Sequence, residues 1–313
     1  MNTHKTVKPN SAKAWLLASR PKTLTGAAVP VLLGAMSAYQ EAANELRILP
    51  IVFCFLFAFV MQIDANFVND YFDFIKGNDN EKRLGPKRAC AQGWITPAKM
   101  KHALCLTTLL ACAVGLPLIY FGGWITIVVG VVCVLFCFLY TTHLSYKGMG
   151  DVLVLVFFGL VPVYGTYLLA LPHPTFNLSL EPLALALSCG LVIDTLLIVN
   201  NFRDIDNDIE AGKRTLAVRL GLERTLQLYL FTGIFAVGLS GFAFIWHGHY
   251  FAFAFSLCYI PLHTKTFRAM KAIGKGKALN KVLGKTAANI AVFGVTTAVG
   301  MLIDAMTAQV GGL

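Results

Sequence analysis

Two stretches of this 313-residue chain carry carboxylates and amides at helical spacing. The first runs from Asn66 through Asn69 and Asp70 to Asp73, the second from Asn200 and Asn201 through Arg203 and Asp204 to Asp208. On a helix, Asn66, Asp70 and Asp73 recur at i, i+4, i+7 and Asn200, Asp204 and Asp208 at i, i+4, i+8, so each set shares a face. Carboxylate oxygens suit hard cations, and magnesium in particular takes one or two carboxylates, keeps several waters and completes its shell with substrate phosphates. Two such pairs, Asp70 with Asp73 and Asp204 with Asp208, predict two magnesium ions bridging to a diphosphate. The four asparagines can donate to phosphate oxygens or ligate through their carbonyls. Lys76, Arg83, Lys87 and Arg88 follow the first stretch, Lys213 and Arg214 follow the second, and Arg203 lies inside it. Cations so placed can stabilise a departing diphosphate.

The elements that hold these residues are apolar. The chain is 57% hydrophobic and 13% charged, with mean hydropathy +0.66, against about 25% charged residues in a soluble domain. The pattern predicts an all-α, multi-pass membrane protein with nine spans of about 20 residues: 14–38, 48–72, 98–120, 122–141, 151–171, 180–202, 224–246, 248–264 and 286–308. Arg20, Pro21 and Lys22 interrupt the start of the first. Each acidic stretch closes an even-numbered span, where charge is costly and signals function. Of the 26 Lys and Arg residues, all but Arg47 fall in the N-terminal segment or in the loops after spans two, four, six and eight. The positive-inside rule then puts those loops, both acidic stretches and the N-terminus in the cytoplasm, and the C-terminus outside. The net charge of +10 follows from this topology and points to a lipid bilayer rather than a nucleic acid. No cleavable signal peptide is visible. The eight cysteines form no C-x-x-C pair and read as small apolar residues rather than disulfides or zinc ligands.

The chain reads as one transmembrane domain, residues 1–313. Asp70 and Asp204 suggest two related halves, about 14–141 and 151–264, facing one cavity, with a ninth helix at 286–308. Asp64 and Asp194 lie deeper in spans two and six, as proton sites, hydrogen-bond sites or polar contacts between helices. Asp304 is expected at the outer interface, and the basic run from Lys265 to Lys285 is topogenic.

At the two acidic stretches the chain resembles the UbiA superfamily of intramembrane aromatic prenyltransferases, whose motifs N-D-x-x-D and D-x-x-x-D match Asn69 to Asp73 and Asp204 to Asp208. The likeness covers nearly the whole chain and is closest to the branch acting on 1,4-dihydroxy-2-naphthoate in menaquinone synthesis. It is carried by Ser19 to Thr23, by Asn66 to Gly93 with Arg83-Leu-Gly-Pro-Lys-Arg88, by Gly148 to Asp151 with Val156 to Gly159, and by Asn200 to Gly221. The 4-hydroxybenzoate branch differs after the first motif and lacks the N-N-x-R-D form. The segment Tyr140 to Asp151 departs from the naphthoate branch, being shorter and lacking a proline before Tyr146.

The resemblance implies nine helices around a cavity whose polar cap faces the cytoplasm and whose side opens to lipid. It implies that an all-trans polyprenyl diphosphate, activated through magnesium on Asp70, Asp73, Asp204 and Asp208, alkylates 1,4-dihydroxy-2-naphthoate with loss of its carboxylate. Asn66, Asn69, Asn200, Asn201, Arg83, Arg88, Lys76, Lys213 and Arg214 would assist at the diphosphate. Arg20, Lys22 or Arg203 would orient the acceptor or the diphosphate, and Tyr140 and Lys147 would join the substrate site. Another aromatic acceptor, or transport of a divalent cation or anionic lipid, are the rival readings. Few polar residues in the outer half speak against transport.

Overall fold

The computed structural model describes residues 7–77, 79, 83–173 and 178–311. Lys5 and Lys82, counted above among the topogenic charges, lie outside the described residues. The described residues are helices and connecting turns. They run α1 (Ala12–Ser19), α2 (Leu24–Ala42), α3 (Ile48–Ile75), α4 (Pro97–Gly115), α5 (Leu118–Gly122), α6 (Trp124–Leu139), α7 (Gly150–Val154), α8 (Gly165–Ala170), α9 (Leu180–Glu210), α10 (Leu216–Trp246), α11 (Tyr250–Ser256), α12 (Tyr259–Ile273) and α13 (Leu279–Gly311).

Helix occupies each of the nine predicted stretches, and six helical segments among the described residues are long and apolar enough to span a membrane. Four predicted spans take another form, the third dividing into α4 and α5. The first is cut at Arg20, which ends α1 at a φ of 48° before a short turn leads into α2. The eighth divides into α11 and α12, and α12 continues to Ile273. The seventh begins earlier, at Leu216, and bends at Gly221, whose φ of 75° and ψ of 176° interrupt α10. Wide helical turns over Tyr140–Leu144 and Leu155–Tyr164 flank α7. The second contains Pro162, which has no N–H to give a regular turn.

α9 is the central post. In its most apolar stretch 67% of residues are buried, against 11% for the segment Trp124–Lys147. Its Leu185, Cys189, Val192 and Ile193 share the largest apolar core with Leu33 of α2, Val163 and Phe293 of α13. Small residues permit this closeness: a Cβ on Gly159 would lie 2.5 Å from the Ala186 carbonyl oxygen and 3.0 Å from the Gly190 Cα. Leu106, Leu109, Phe231 and Phe242 remain exposed on the outside, as helix faces turned to lipid must. Asp64 is buried and accepts from the Thr107 and Thr108 hydroxyls, so it is a polar contact between α3 and α4. Asp304 accepts the Phe251 and Ala252 N–H groups at 3.1 and 2.7 Å, satisfying the start of α11.

Candidate active site

A cavity of about 1210 Å³ opens between α2, α3, α6, the α7 segment and α9. Most of its wall is apolar, from residues such as Val31, Phe57, Ile125, Phe157 and Leu169. Its polar end gathers side chains from both acidic stretches.

The first stretch is divided by the fold. Asn69 and Asp73 line the cavity, one helical turn apart on α3. Asn66 and Asp70 are buried behind the wall. Asn66 donates to the Ser19 carbonyl and the Thr23 hydroxyl, both at 3.0 Å, and accepts from Arg20 at 3.5 Å. These contacts hold the Arg20 backbone in its left-handed conformation, rare for a non-glycine residue, and leave its guanidinium on the cavity wall. Asp70 accepts the Ala89 and Cys90 N–H groups, each at 2.9 Å, and has Arg20 at 3.9 Å. Its carboxylate thereby pins the loop that carries Arg88. Asp73 pairs with Arg88 at 2.8 Å, and Asn69 accepts from the Thr141 hydroxyl at 2.7 Å.

From α9, Asn200, Asn201, Asp204 and Asp208 line the cavity together with Asn207. Arg203 does not. Its side chain is 1% exposed and grips Asp204 at 2.9 and 2.6 Å, Asn200 at 2.6 Å and Asn280 of α13 at 2.8 Å. Arg203 therefore positions Asp204 and Asn200 from behind. Asn280 in turn donates to the Leu84 carbonyl at 2.8 Å, tying α13 to the loop after α3. Gly85 brings that loop close over both guanidinium groups: a Cβ there would lie 2.9 Å from that of Arg203 and 3.1 Å from that of Arg83.

Cations close the polar end. Arg20, Arg83, Arg88 and Lys213 line the cavity, and Lys213 sits 3.6 Å from Asp208. Tyr140 lines it as well. Lys22, Lys76, Lys147 and Arg214 are exposed and do not line it. Lys76 lies 4.6 Å over the Tyr146 ring and donates to the Thr142 carbonyl at 2.7 Å. Lys213 covers the same ring at 5.4 Å, and the Arg214 N–H reaches the Tyr146 carbonyl at 2.9 Å.

Sequence reasoning passed over Asp79. Its carboxyl is fully buried, accepts from Arg83 at 2.7 Å and forms an ion pair with Arg88 at 3.3 Å. Burial raises the Asp79 carboxyl above the ordinary carboxylate range, opposed by Arg88 and Arg83, and burial beside Arg88 lowers Arg83. An acidic residue amid a basic loop was the available signal. Cys90 is no nucleophile: burial, with Asp70 next to it, pushes its thiol up to about 12.

The donor set suits magnesium. Among the described residues no three His, Cys, Asp or Glu side chains come together as a complete metal cage. Instead Asp73, Asp204 and Asp208 share the polar end of one cavity, each beside a cation. Carboxylates so arranged can take ions only in company with further oxygens, as a bound diphosphate would bring.

The profile of the UbiA prenyltransferase family matches residues 27–284. A 1,4-dihydroxy-2-naphthoate octaprenyltransferase of Mycobacterium leprae (strain TN) is 33% identical over 293 residues, covering 91% of this chain and 94% of that protein. The protein of the same description from Escherichia coli (strain K12) is 36% identical over 222 residues, covering 67% and 69%. Among solved structures, a UbiA homolog from Archaeoglobus fulgidus bound to DMAPP and Mg2+ superposes with a TM-score of 0.55 at 14% identity, over 92% of this chain and 99% of that one. That likeness is one of fold.

Proposed function

The chain belongs to the UbiA prenyltransferase family, and from that membership we propose that it moves a polyprenyl group from an all-trans polyprenyl diphosphate to 1,4-dihydroxy-2-naphthoate, with loss of carbon dioxide, giving demethylmenaquinol. The observation that carries this reading is the cavity, with carboxylates of both motifs and four basic side chains at one end and apolar walls beyond. Relatives 33% and 36% identical over the aligned residues bear this activity in their descriptions, and membership of a family of transferases sets the transporter reading aside.

Asp73, Asp204 and Asp208 are the carboxylates assigned to magnesium. Asp70 supports them by fixing the Arg88 loop, and Arg203 supports them by fixing Asp204. Magnesium, when bound, neutralises diphosphate oxygens and so makes diphosphate a better leaving group. Asn69, Asn200 and Asn201 offer amide donors to the same oxygens, while Arg20, Arg83, Arg88 and Lys213 meet the charge that builds as the bond to the allylic carbon breaks. The apolar walls keep water from the allylic cation until the electron-rich ring attacks it. The prenyl tail lies along those walls. The protein sits in the bacterial cytoplasmic membrane with the polar end, the basic loops and the N-terminus on the cytoplasmic side and the C-terminus outside.

The test offers 1,4-dihydroxy-2-naphthoate and 4-hydroxybenzoate in parallel to the purified protein with magnesium and labelled polyprenyl diphosphate. The expected product is a decarboxylated, prenylated naphthoquinol that disappears with a chelator. Asp204→Asn is expected to lower kcat by about 100-fold or more, as removal of a group from an electrostatic centre does. Prenylation of the benzoate alone overturns the acceptor assignment, and turnover of Asp204→Asn at the wild-type rate overturns the assignment of that carboxylate.

A further inference from the structure

Asp151 and Asp194 belong to neither acidic motif. Asp194 precedes Asn201 and Asp208 on α9 by seven and fourteen residues, so the three share a face, with Asp194 about 10 Å deeper along the axis than Asn201. It is 6% exposed. Its Oδ1 has no hydrogen-bond partner, and neither has Oδ1 of Asp151. Asp151 is half-buried and lines the cavity. The helix that carries it packs between α9 and the wide turn at Tyr140: a Cβ on its neighbour Gly150 would lie 3.1 Å from the Leu197 side chain and 3.8 Å from the Tyr140 hydroxyl. Leu197 lies one helical turn from Asp194, so this packing sets α7 against the part of α9 that carries Asp194, with Tyr140 the other titratable group at the contact. Ion pairs serve Asp70, Asp73, Asp79, Asp204 and Asp208, and none reaches Asp151 or Asp194 among the described residues.

Two carboxylates without ion pairs, on helices packed against each other at membrane depth, are costly to charge together. One proton held between them removes one charge and leaves an acid and a base in the same pair. The place fits a need of the reaction. The acceptor ring must lie within bonding distance of the allylic carbon, just beyond the diphosphate on the side away from the cytoplasmic loops. Asp151 lines the same cavity, beside Gly150, which packs on Leu197 seven residues before Asp204 on α9.

Resting on the function proposed above, we propose that Asp151, positioned by Asp194, is the acid–base residue for the acceptor hydroxyl next to the attacked carbon. The ring carbon that bears the carboxylate bonds to the allylic carbon, whose bond to diphosphate breaks with both electrons leaving on the diphosphate oxygen. The neighbouring hydroxyl passes its proton to Asp151 and becomes a ketone. The bond to the carboxylate then breaks and carbon dioxide departs. The electron pair left behind restores the aromatic ring, and the ketone oxygen recovers the proton from Asp151. No proton or electron is consumed.

The full-length protein in lipid nanodiscs serves for the test, with Asp151→Asn, Asp151→Glu and Asp194→Asn. Asp151→Asn is expected to lose about 100-fold or more in kcat, with KM for the prenyl diphosphate unchanged and the acid-side rise of kcat with pH abolished. Asp151→Glu restores most of the rate. Asp194→Asn lowers kcat by less and shifts the midpoint of that acid-side rise. Infrared difference spectra of the substrate-free protein, wild type minus each asparagine variant, need neither magnesium nor turnover and are expected to show a protonated-carboxyl band belonging to the pair. Wild-type kcat and an intact acid limb in Asp151→Asn overturn the proposal, as does the absence of that band from both difference spectra. A wild type that turns over only an acceptor without that hydroxyl overturns the proposed function, while the infrared band still decides the carboxyl pair.

Discussion

Asp70 shows how one carboxylate can serve a site without facing it. Both its oxygens accept backbone N–H groups from the loop that carries Arg88. In Asp70→Asn one of those oxygens becomes an NH2 directed at an N–H donor. A buried donor left without a partner costs about 1–3 kcal/mol. The variant is expected to show a lower melting temperature and faster proteolysis within residues 83–93, with its magnesium requirement unchanged. A wild-type melting temperature with a raised magnesium requirement would instead make Asp70 a ligand. The presence of these groups was legible in the sequence, since amides and carboxylates at helical spacing after an apolar run stand out. Their division into wall and backing was not. Asp70 turns away because its partners are backbone groups of Ala89 and Cys90, and Arg203 turns away because Asn280, 77 residues later, is there to receive it. Backbone partners leave no trace in residue type, and Asn280 is an unmarked asparagine in a basic stretch.

Among the elements, the close crossing of the Leu155–Tyr164 segment over α9 sets the cavity's width. With 2.5 Å between a Cβ on Gly159 and the Ala186 carbonyl, Gly159→Ala forces the helices apart. A loss of about 1–3 kcal/mol is expected, the usual cost of overpacking, seen as a lower unfolding temperature in detergent. Gly130 of α6, where a Cβ meets nothing within 4 Å, is the control whose alanine variant keeps the wild-type value; equal behaviour of the two variants would refute the argument. The long apolar runs announced α3, α9 and α10, because twenty apolar residues have few other uses. The break at Arg20 was visible as charge and proline. The division between α11 and α12 also had a signal, passed over above, in Pro261, which cannot donate to the Leu257 carbonyl four residues back, and α12 outruns its apolar stretch because Lys265, Arg268 and Lys271 can ride on its polar side.

At the scale of the whole molecule the two ends are fastened differently. The end opposite the cavity's polar cap is held by His249, whose Nδ1 lies 2.9 Å from each Glu181 oxygen, joining the α10–α11 link to the start of α9. The Glu181 hydrogen bond raises His249 above the ordinary histidine value of 6.5, against the opposing effect of burial. A raised folded value means that the stabilisation is fully present below 6.5 and is lost as pH climbs through the folded value. The melting temperature of the wild type is therefore expected to fall over that window more steeply than that of His249→Gln, and parallel curves would refute the latch.

The tie from Asn280 to Arg203 and Leu84 has a consequence in time. Asn280 stands at the head of α13, which leaves the ribosome after every other helix described. Until it arrives, Arg203 lacks one of its partners and the loop over it lacks its tether. An inserting chain thus acquires a fixed Asp204 only when α13 docks, so that docking of this helix and competence for chemistry coincide.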